Sequence, residues 1–313
     1  MELSWGRRYV MVRPEHFRVE YQINPFMDLA RQPDPTLARA QWDGLVAAIL
    51  AAGGAVEVVE QRADAPDMVY AMNLGFVVEP AEGPFETPRP SAPQGKRQRS
   101  SAGHVVLSHM RYAQRRMETS SAATWFAGRG FTTSYAGRDG VGAHLEAGDA
   151  FAWRDELVVG YGPRTDELGL KVLATDLGVR VRGLRITHPG MYHLDLAFCP
   201  LDERRAIVCP AAFDDESAAA LLALVPEPLL ITEEEALTTF AANSVVIGRT
   251  VLMPACPDGV RARLEEWGFE VVLVDVSQFH LGGGSIRCLT NPIDVRLGRD
   301  LRVLPTGGEV VLP

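Results

Sequence analysis

A short apolar strand, a segment with helical periodicity and a second short strand follow one another several times along this chain. No other feature of the sequence limits the possible folds as much. In the first copy, residues 9–12 form an apolar strand, residues 35–53 carry apolar side chains at helical spacing, and residues 55–59 form a second strand. Similar units are predicted around residues 104–135, 206–224 and 250–274. Four or five copies of one α/β unit indicate a repeated architecture rather than two unrelated domains.

The composition narrows the partners that the protein could have. The 313 residues carry a net charge of −9, and 47% of them are hydrophobic, which is ordinary for a globular protein with a large core. An acidic chain is a poor match for nucleic acid and is compatible with a small cationic substrate. We therefore expect a small-molecule partner and no nucleic acid.

The sequence shows no targeting segment or membrane span. Its first residues lack the apolar core of a signal peptide, and no window reaches the roughly eighteen apolar residues of a membrane helix. The four cysteines form no CxxC pair, and Cys199 and Cys209 stand in apolar surroundings typical of buried thiols. These features predict a cytoplasmic protein with no membrane partner.

Residues 79–103 interrupt the repeat. They are rich in proline, glycine, serine and charged residues, and they cannot bury enough apolar surface to order themselves. We expect a flexible insertion between two strands. It could close over a site as a lid or be a solvated loop, because flexibility alone does not indicate closure.

The segment 279–288 (FHLGGGSIRC) is the strongest candidate for chemistry. Three consecutive glycines permit positive φ angles and close approach of another group to the backbone. Cys288 directly after such a turn is either a nucleophile or a buried structural thiol, and this stretch alone favours neither interpretation.

Polar residues at the edges of other apolar stretches could complete a site. We place Glu146 and Asp149 at the end of a buried strand, and His193 and Asp195 on one face of a strand over residues 191–198. Turn residues or a satisfied core pair would explain the same residues without a function. Asp67 and Asn73 punctuate a further predicted strand over 67–76 and have the same two explanations, as does Asn243, which precedes another strand.

Together these residues suit nucleophilic attack on an electron-poor carbon, with the histidine as acid and base. The excess of carboxylates favours a cationic substrate, since carboxylates hold a planar guanidinium through paired hydrogen bonds. A metal site on His193, Asp195 and Glu146 is disfavoured because no metal-binding spacing such as HExxH is present. We expect no cofactor.

The set also resembles, over nearly the whole chain and in order, the guanidine-modifying enzymes, which include arginine deiminase, dimethylarginine dimethylaminohydrolase and glycine amidinotransferase. The bacterial dimethylargininase-like proteins are the most similar. The motifs that carry the resemblance are Arg13-Pro14 with residues 21–27 (YQINPFM), residues 66–73 (PDMVYAMN), Arg115-Arg116-Met117-Glu118, residues 145–149 (LEAGD), residues 160–165 (GYGPRT), His193-Leu194-Asp195 and residues 282–288 (GGGSIRC).

The resemblance implies a fold and a domain organisation. It implies a single catalytic domain over residues 1–313, folded as a five-bladed α/β propeller of ββαβ-type units (a pentein-like fold) with the site in its central channel. Dimers are common in the resembling family, so a homodimer is one expectation.

The resemblance also implies a mechanism. Cys288 attacks the guanidinium carbon to form a covalent thiouronium, His193 protonates the leaving amine and then activates water, and Glu146 is the acid of the triad. The implied substrate-binding residues are Asp149 and Asp195 for the guanidinium, Asn73 beside them, Arg115 and Arg164 for a carboxylate, and Asp67 for the α-amino group. The product from arginine or a methylated arginine would be citrulline.

Asn73 keeps other reactions open. Many members of the family have aspartate there, whereas relatives that take arginine through citrulline to ornithine have asparagine, so the resemblance also implies an arginine dihydrolase as an alternative. An amidinotransferase would use an amine in place of water. A protein that only binds a guanidino ligand is the non-enzymatic alternative, although it would have no need of a nucleophile.

Overall fold

The computed structural model describes residue 3 and residues 5–79, 102–154 and 156–297. Over these residues a three-stranded sheet recurs five times. In each sheet the middle strand pairs antiparallel with the first strand and parallel with the third. The repeated α/β unit that the sequence predicts is therefore confirmed.

Four of the sheets are each built from one continuous stretch of chain. They define units 2 to 5, which are β3–β5 (Gly75–Val78, His104–Leu107, Thr132–Tyr135), β8–β10 (Ala150–Trp153, Glu156–Tyr161, Val181–Arg185), β11–β13 (Phe198–Pro200, Arg205–Val208, Glu227–Leu230) and β14–β16 (Val245–Ile247, Thr250–Met253, Glu270–Leu273).

Unit 1 joins distant parts of the chain. Its strands are β17 (Asn291–Pro292), β1 (Arg8–Val12) and β2 (Ala55–Val59). The carboxylate of Asp294 reinforces this junction by accepting hydrogen bonds from the backbone N–H of Gly6 and Arg7, at 3.0 and 2.7 Å. In this sheet the C-terminal strand β17 takes the place of the first strand, and β1 is the middle strand.

A helix connects the middle strand of every unit to its parallel third strand. These helices are α1 (Pro35–Ala51), α2 (Glu118–Gly128), α3 (Glu167–Leu177), α4 (Asp215–Leu224) and α6 (Asp258–Glu266). The connections between units hold α5 (Glu233–Thr239), α7 (Ser277–His280) and a hairpin of β6 (Gly137–Arg138) with β7 (Val141–Gly142).

The first helix shows how the sequence sets these elements. Asp34 caps α1 by accepting a hydrogen bond from Leu37 N, and a proline occupies its first turn, where a missing N–H costs nothing. The buried residues Trp42, Leu45 and Ile49 recur at spacings of three and four, so one stripe of the helix faces the core.

Two of the predicted strands are wrong. Residues 66–74 form two short 3₁₀ helices, Pro66–Val69 and Ala71–Leu74, and a third 3₁₀ turn, Leu194–Leu196, replaces the strand predicted over 191–198. A short apolar run with polar interruptions does not distinguish a strand from a tightly wound buried turn. Of the acids predicted at a strand end, Asp149 lies in a 3₁₀ turn, Ala147–Asp149, that precedes β8, and Glu146 is the residue directly before this turn.

Burial follows the sheets. The middle strands are almost wholly apolar and buried, and Cys199 and Cys209 are buried thiols, as predicted. The predicted flexible insertion 79–103 falls mainly on residues 80–101, which lie outside the described residues. None of the helices described is long and apolar enough to cross a membrane.

Candidate active site

The turn before the first strand of each sheet carries polar side chains into the interior. In units 2 to 4 this turn is a 3₁₀ helix, and in units 5 and 1 it is an irregular turn. Since the five units share one topology, these turns occupy equivalent places in the repeat. The residues that they carry are Asn73 (unit 2), Glu146 and Asp149 (unit 3), His193 and Asp195 (unit 4), Asn243 (unit 5) and Cys288 (unit 1), all of them buried.

Tyrosines hold the glycine turn that precedes Cys288. Gly283 has φ +90°, and a Cβ there would lie 2.6 Å from the side-chain amide of Asn24, so the turn requires glycine. Tyr192 Oη donates to Gly283 O at 2.7 Å, and the ring of Tyr70 lies where a Cβ on Gly284 would stand. The glycines therefore let two rings pack directly on the backbone beside the cysteine.

Cys288 meets an amide and a carboxylate. Its Sγ lies 3.2 Å from Asn243 Nδ2 and 3.5 Å from Asp195 Oδ2. Burial and the neighbouring Asp195 carboxylate raise the pKa of the thiol well above its ordinary value. Burial likewise raises the pKa of Asp195 to about 7, against the charge of Arg287. The resting form is thus a thiol that can donate to the carboxylate.

His193 is paired with a fully buried glutamate. Its Nε2 lies 2.8 Å from Glu146 Oε2, which also accepts from Arg164 Nη1 at 3.1 Å, while Oε1 accepts from the backbone N–H of Arg111. Burial alone would raise the pKa of Glu146, but Arg164 and the bond from His193 hold it far below its usual range. The glutamate is therefore an ionised acceptor that fixes the orientation of the imidazole.

Asn73, Asp195 and His193 converge on Gly148. A Cβ at Gly148 would lie 3.1–3.3 Å from Asp195 Oδ2, Asn73 Oδ1 and His193 Nδ1, and the Gly148 N–H donates to Asn73 Oδ1 at 2.9 Å. Asp149 lies on the other side of this turn and accepts from Leu194 N at 2.9 Å. Burial raises the pKa of Asp149 to about 6.

The two arginines of the predicted clamp are each anchored by a carboxylate. Arg115 makes a two-bond pair with Glu118, at 2.8 and 2.9 Å, and Arg164 lies between the rings of Tyr112 and Tyr192. Arg115 Nη2 also donates to the backbone O of Asp67, whose own carboxylate Oδ1 has no hydrogen-bond partner among the described residues.

These side chains border one small, partly open cavity. It is lined by Ile23, Asn24, Asp67, Tyr70, Asn73, Arg115, Arg164, Tyr192, His193, Gly282, Gly284 and Cys288. Six of the nine predicted site residues therefore line one space. The other three residues lie behind this space. Glu146 contacts His193 and Asp195 contacts Cys288, while Asp149 contacts Leu194, which follows His193 in the chain.

Three residues around the cysteine were not among the predicted site residues. For Asn243 the sequence leaves a place beside the site and a turn role as alternatives, and it gives no indication for Tyr70 and Tyr192. The repeat contains the signal for Asn243, since it precedes β14 as Asn73 precedes β3. The described residues include no group of three or more histidines, cysteines or carboxylates that could hold a metal ion.

One small cavity is lined by a cysteine and by the histidine of a histidine–glutamate pair, together with two arginines and a carboxylate. This arrangement defines a thiol-dependent enzyme that acts on a cationic carbon centre. A family model described as N,N dimethylarginine dimethylhydrolase, eukaryotic, matches residues 13–295. The chain belongs to the dimethylarginine dimethylaminohydrolase family, whose members hydrolyse C–N bonds of linear amidines, and the predicted family is confirmed.

Relatives of two activities are similar to the chain. It is 32% identical to N(G),N(G)-dimethylarginine dimethylaminohydrolase of Mycobacterium tuberculosis, over 91% of this chain and 85% of the relative. It is 30% identical to the bifunctional arginine dihydrolase/ornithine cyclodeaminase AgrE of Nostoc, over 90% of this chain but only 37% of that protein.

Solved structures show the same mixed α/β fold. The N-terminal domain of ArgZ, an arginine dihydrolase of cyanobacteria, superposes with a TM-score of 0.80 at 28% identity and covers 93% of this chain and 99% of that one. The dimethylarginine dimethylaminohydrolase of Pseudomonas aeruginosa gives 0.68 at 16% identity, over 92% and 99% of the two chains, and shows the fold alone.

Proposed function

We propose that this protein hydrolyses the guanidino group of arginine or a methylated arginine, with Cys288 as the nucleophile. The observation that carries the proposal is that Cys288 and His193 line one cavity, with Glu146 bonded to His193 and Asp195 to Cys288 behind it. The activities of the M. tuberculosis and cyanobacterial relatives support the same substrate class.

The first half-reaction expels an amine. Cys288 passes its thiol proton to His193 and adds as the thiolate to the guanidinium carbon, and His193 gives that proton to the departing nitrogen as its C–N bond breaks, which leaves a thiouronium on the enzyme. A bound guanidinium favours the thiolate, because its positive charge offsets the burial and the Asp195 carboxylate that raise the pKa of the thiol.

The second half-reaction consumes water. His193 takes a proton from water as the oxygen adds to the thiouronium carbon, and the adduct collapses by breaking the C–S bond. Citrulline and the free thiol result, together with the amine released first. Glu146 is bonded to Nε2, so Nδ1 of His193, on the side of Gly148 and Asn73, is the nitrogen that handles these protons.

The arginines and Asp67 suit the amino-acid end of the substrate. Arg115 uses its Nε and Nη2 for Glu118 and the Asp67 backbone, so Nη1 stays available for a substrate carboxylate. The unpartnered Oδ1 of Asp67, in the lining of the cavity, matches an α-ammonium group.

We also propose that the five units surround the site as a five-bladed propeller and form one catalytic domain. The shared strand pairing of the units and the five turns that bring residues to one region support this arrangement. A cytoplasmic location and a homodimer stay predictions.

A second candidate, an arginine dihydrolase, is favoured by Asn73. Because the Gly148 N–H must meet an acceptor, Asn73 Oδ1 faces it and the Nδ2 end is the donor. An amide donor in the cavity can bind the neutral ureido oxygen of citrulline, which a carboxylate would repel. A second round of attack would then give ornithine, carbon dioxide and ammonia, and the similarity to the ArgZ domain supports this candidate.

One experiment tests both candidates. The purified protein is incubated with arginine or asymmetric dimethylarginine, and products are followed by mass spectrometry beside Cys288→Ser and Asn73→Asp. Citrulline with dimethylamine indicates a dimethylargininase. Ornithine with ammonia indicates a dihydrolase, and Asn73→Asp should then stop at citrulline. Full turnover by Cys288→Ser would refute the proposal.

A further inference from the structure

Asn243 contacts the nucleophile through both ends of its side-chain amide. Its Oδ1 accepts a hydrogen bond from the backbone N–H of Cys288 at 3.1 Å, and its Nδ2 lies 3.2 Å from the Cys288 sulfur. The same Nδ2 donates to the backbone oxygen of Asp195 at 2.9 Å. Asn243 is fully buried, so no solvent competes for these bonds.

Two hydrogen bonds to backbone groups each fix the orientation of this amide. A backbone N–H can only donate, so the end of Asn243 that faces Cys288 N must be the oxygen. A backbone carbonyl can only accept, so the end that faces Asp195 O must be the nitrogen. Both constraints point the same NH₂ group at the sulfur, and an amide flip would break both.

A fixed N–H donor acts differently on the two forms of the sulfur. A thiolate is a charged acceptor and gains a strong hydrogen bond, whereas a thiol or a thioether gains little. The donor therefore opposes the effects of burial and of the Asp195 carboxylate, and this bond lowers the pKa of Cys288. The other titratable groups close to the sulfur are His193, Arg287, Tyr70 and Tyr192.

We propose that Asn243 is a catalytic residue, which donates a hydrogen bond to the Cys288 sulfur whenever that sulfur carries negative charge. Such charge develops twice, before the sulfur attacks and again when the C–S bond breaks and the electron pair returns to it. The inference rests on the proposed role of Cys288 as nucleophile. It requires no further reactant, since Asn243 gives up no proton.

The test compares two buried asparagines. Asn243→Leu removes the donor at similar volume, and Asn291→Leu is the matched control. Asn291 is also fully buried and lies three residues after Cys288, but its Nδ2 donates to the backbone oxygens of Ala71 and Gly75 rather than to sulfur. Both changes leave two backbone groups without a partner. Asn243→Ser replaces Asn243→Leu if the latter does not fold.

The main readout is the rate of Cys288 alkylation by iodoacetamide against pH, with the labelled peptide identified by mass spectrometry. We expect Asn243→Leu to shift this profile at least about one pH unit upward and to lower kcat about 10- to 100-fold, the range for a hydrogen bond to a charged group. Asn291→Leu should lower Tm and leave the alkylation profile in place.

Two results would count against the inference. An unshifted profile in a folded Asn243 variant would make the residue structural only, as would equal shifts in both variants. Failure of the proposed function is a separate result, because it would show as turnover by Cys288→Ser whatever the alkylation profile of the Asn243 variant.

Discussion

Two buried histidines in this molecule each pair with a carboxylate at the same separation. In the site, His193 Nε2 lies 2.8 Å from Glu146 Oε2, and away from it His104 Nε2 lies 2.8 Å from Asp176 Oδ2. Both histidines are 2% exposed. Neither the distance nor the burial of the histidine distinguishes a catalytic pair from a structural one.

The second ring nitrogen of each histidine, Nδ1, distinguishes the two pairs. His104 Nδ1 is bonded to the hydroxyl of Thr132 at 2.7 Å, and its Nε2 also meets Ser134 Oγ at 3.0 Å. His193 Nδ1 makes no hydrogen bond with a described residue, and His193 lines the cavity with Cys288. A pair of this kind can transfer protons only when one nitrogen faces a reacting group, so the pair in unit 2 acts as a link to α3.

The largest effect should come from the histidines themselves. We expect His193→Gln to lower kcat by about 10²- to 10⁴-fold, because the acid and base are lost together. His104→Gln should leave kcat within about threefold and lower Tm, since it breaks only packing and hydrogen bonds. Steady-state kinetics and thermal unfolding of both variants provide the measurement. Equal losses of kcat would remove the distinction.

The pH dependence of stability should also reflect the site. Burial raises the pKa of Asp195 to about 7, above its unfolded value near 4. The folded protein therefore binds this proton more tightly, and the stability from this group is full below about pH 4 and falls as pH rises towards 7. In the unchanged protein, the free energy of unfolding should fall by up to about 4 kcal/mol over this pH range. The Asp195→Asn variant should not show this fall. Urea unfolding at several pH values tests this, and parallel curves for the two proteins would contradict it.

Changes to the carboxylates of the two pairs, Glu146 and Asp176, should have a smaller effect on kcat. Glu146→Gln keeps the shape but weakens the bond to the imidazole, so we expect kcat to fall about 10- to 100-fold. Asp176, whose side chain is 25% exposed, should tolerate Asp176→Asn with kcat unchanged. Activity assays at matched folded concentration are the measurement. A loss of kcat in Asp176→Asn would show that the pair in unit 2 influences the site.

The smallest effect should come from the hydroxyl beside His104. Ser134 Oγ donates to Asp176 Oδ2, so Ser134→Ala should cost about 1 kcal/mol of stability and leave kcat and KM unchanged. Chemical denaturation gives the value. A change in KM would instead place this cluster in contact with substrate binding.

Much of the scaffold could be predicted from the sequence. Helix α1 and strands β1, β2, β4 and β15 follow from hydrophobic periodicity, because their patterns are long or bounded by glycine and proline. The turns at 66–74 and 194–196 could not be predicted in this way. Their apolar residues are buried because neighbouring units cover them, and this tertiary packing cannot be read from the local sequence.

The candidate site also has residues that could be predicted from the sequence and residues that could not. Cys288, His193 and Glu146 were predicted from a cysteine after a glycine turn and from the family resemblance. Asn243 was considered, but its contact with Cys288, 45 positions away, depends on how the units meet. Tyr192 was not considered, because its contact with Gly283 spans 91 positions. The carboxylate anchor of Arg164, Glu146, likewise emerges only from the folded arrangement.

The sheet that joins β17 to β1 has a consequence for synthesis of the protein. Gly6 and Asp294, which bond across this junction, lie 288 positions apart, and Cys288 stands three residues before β17. A nascent chain on the ribosome can complete units 2 to 5 in sequence, but it cannot form this sheet until β17 has emerged. The Cys288 thiol is then brought beside its partners in the same event, so a chain that ends before β17 holds no assembled site, and activity in a cell extract counts only chains that extend through β17.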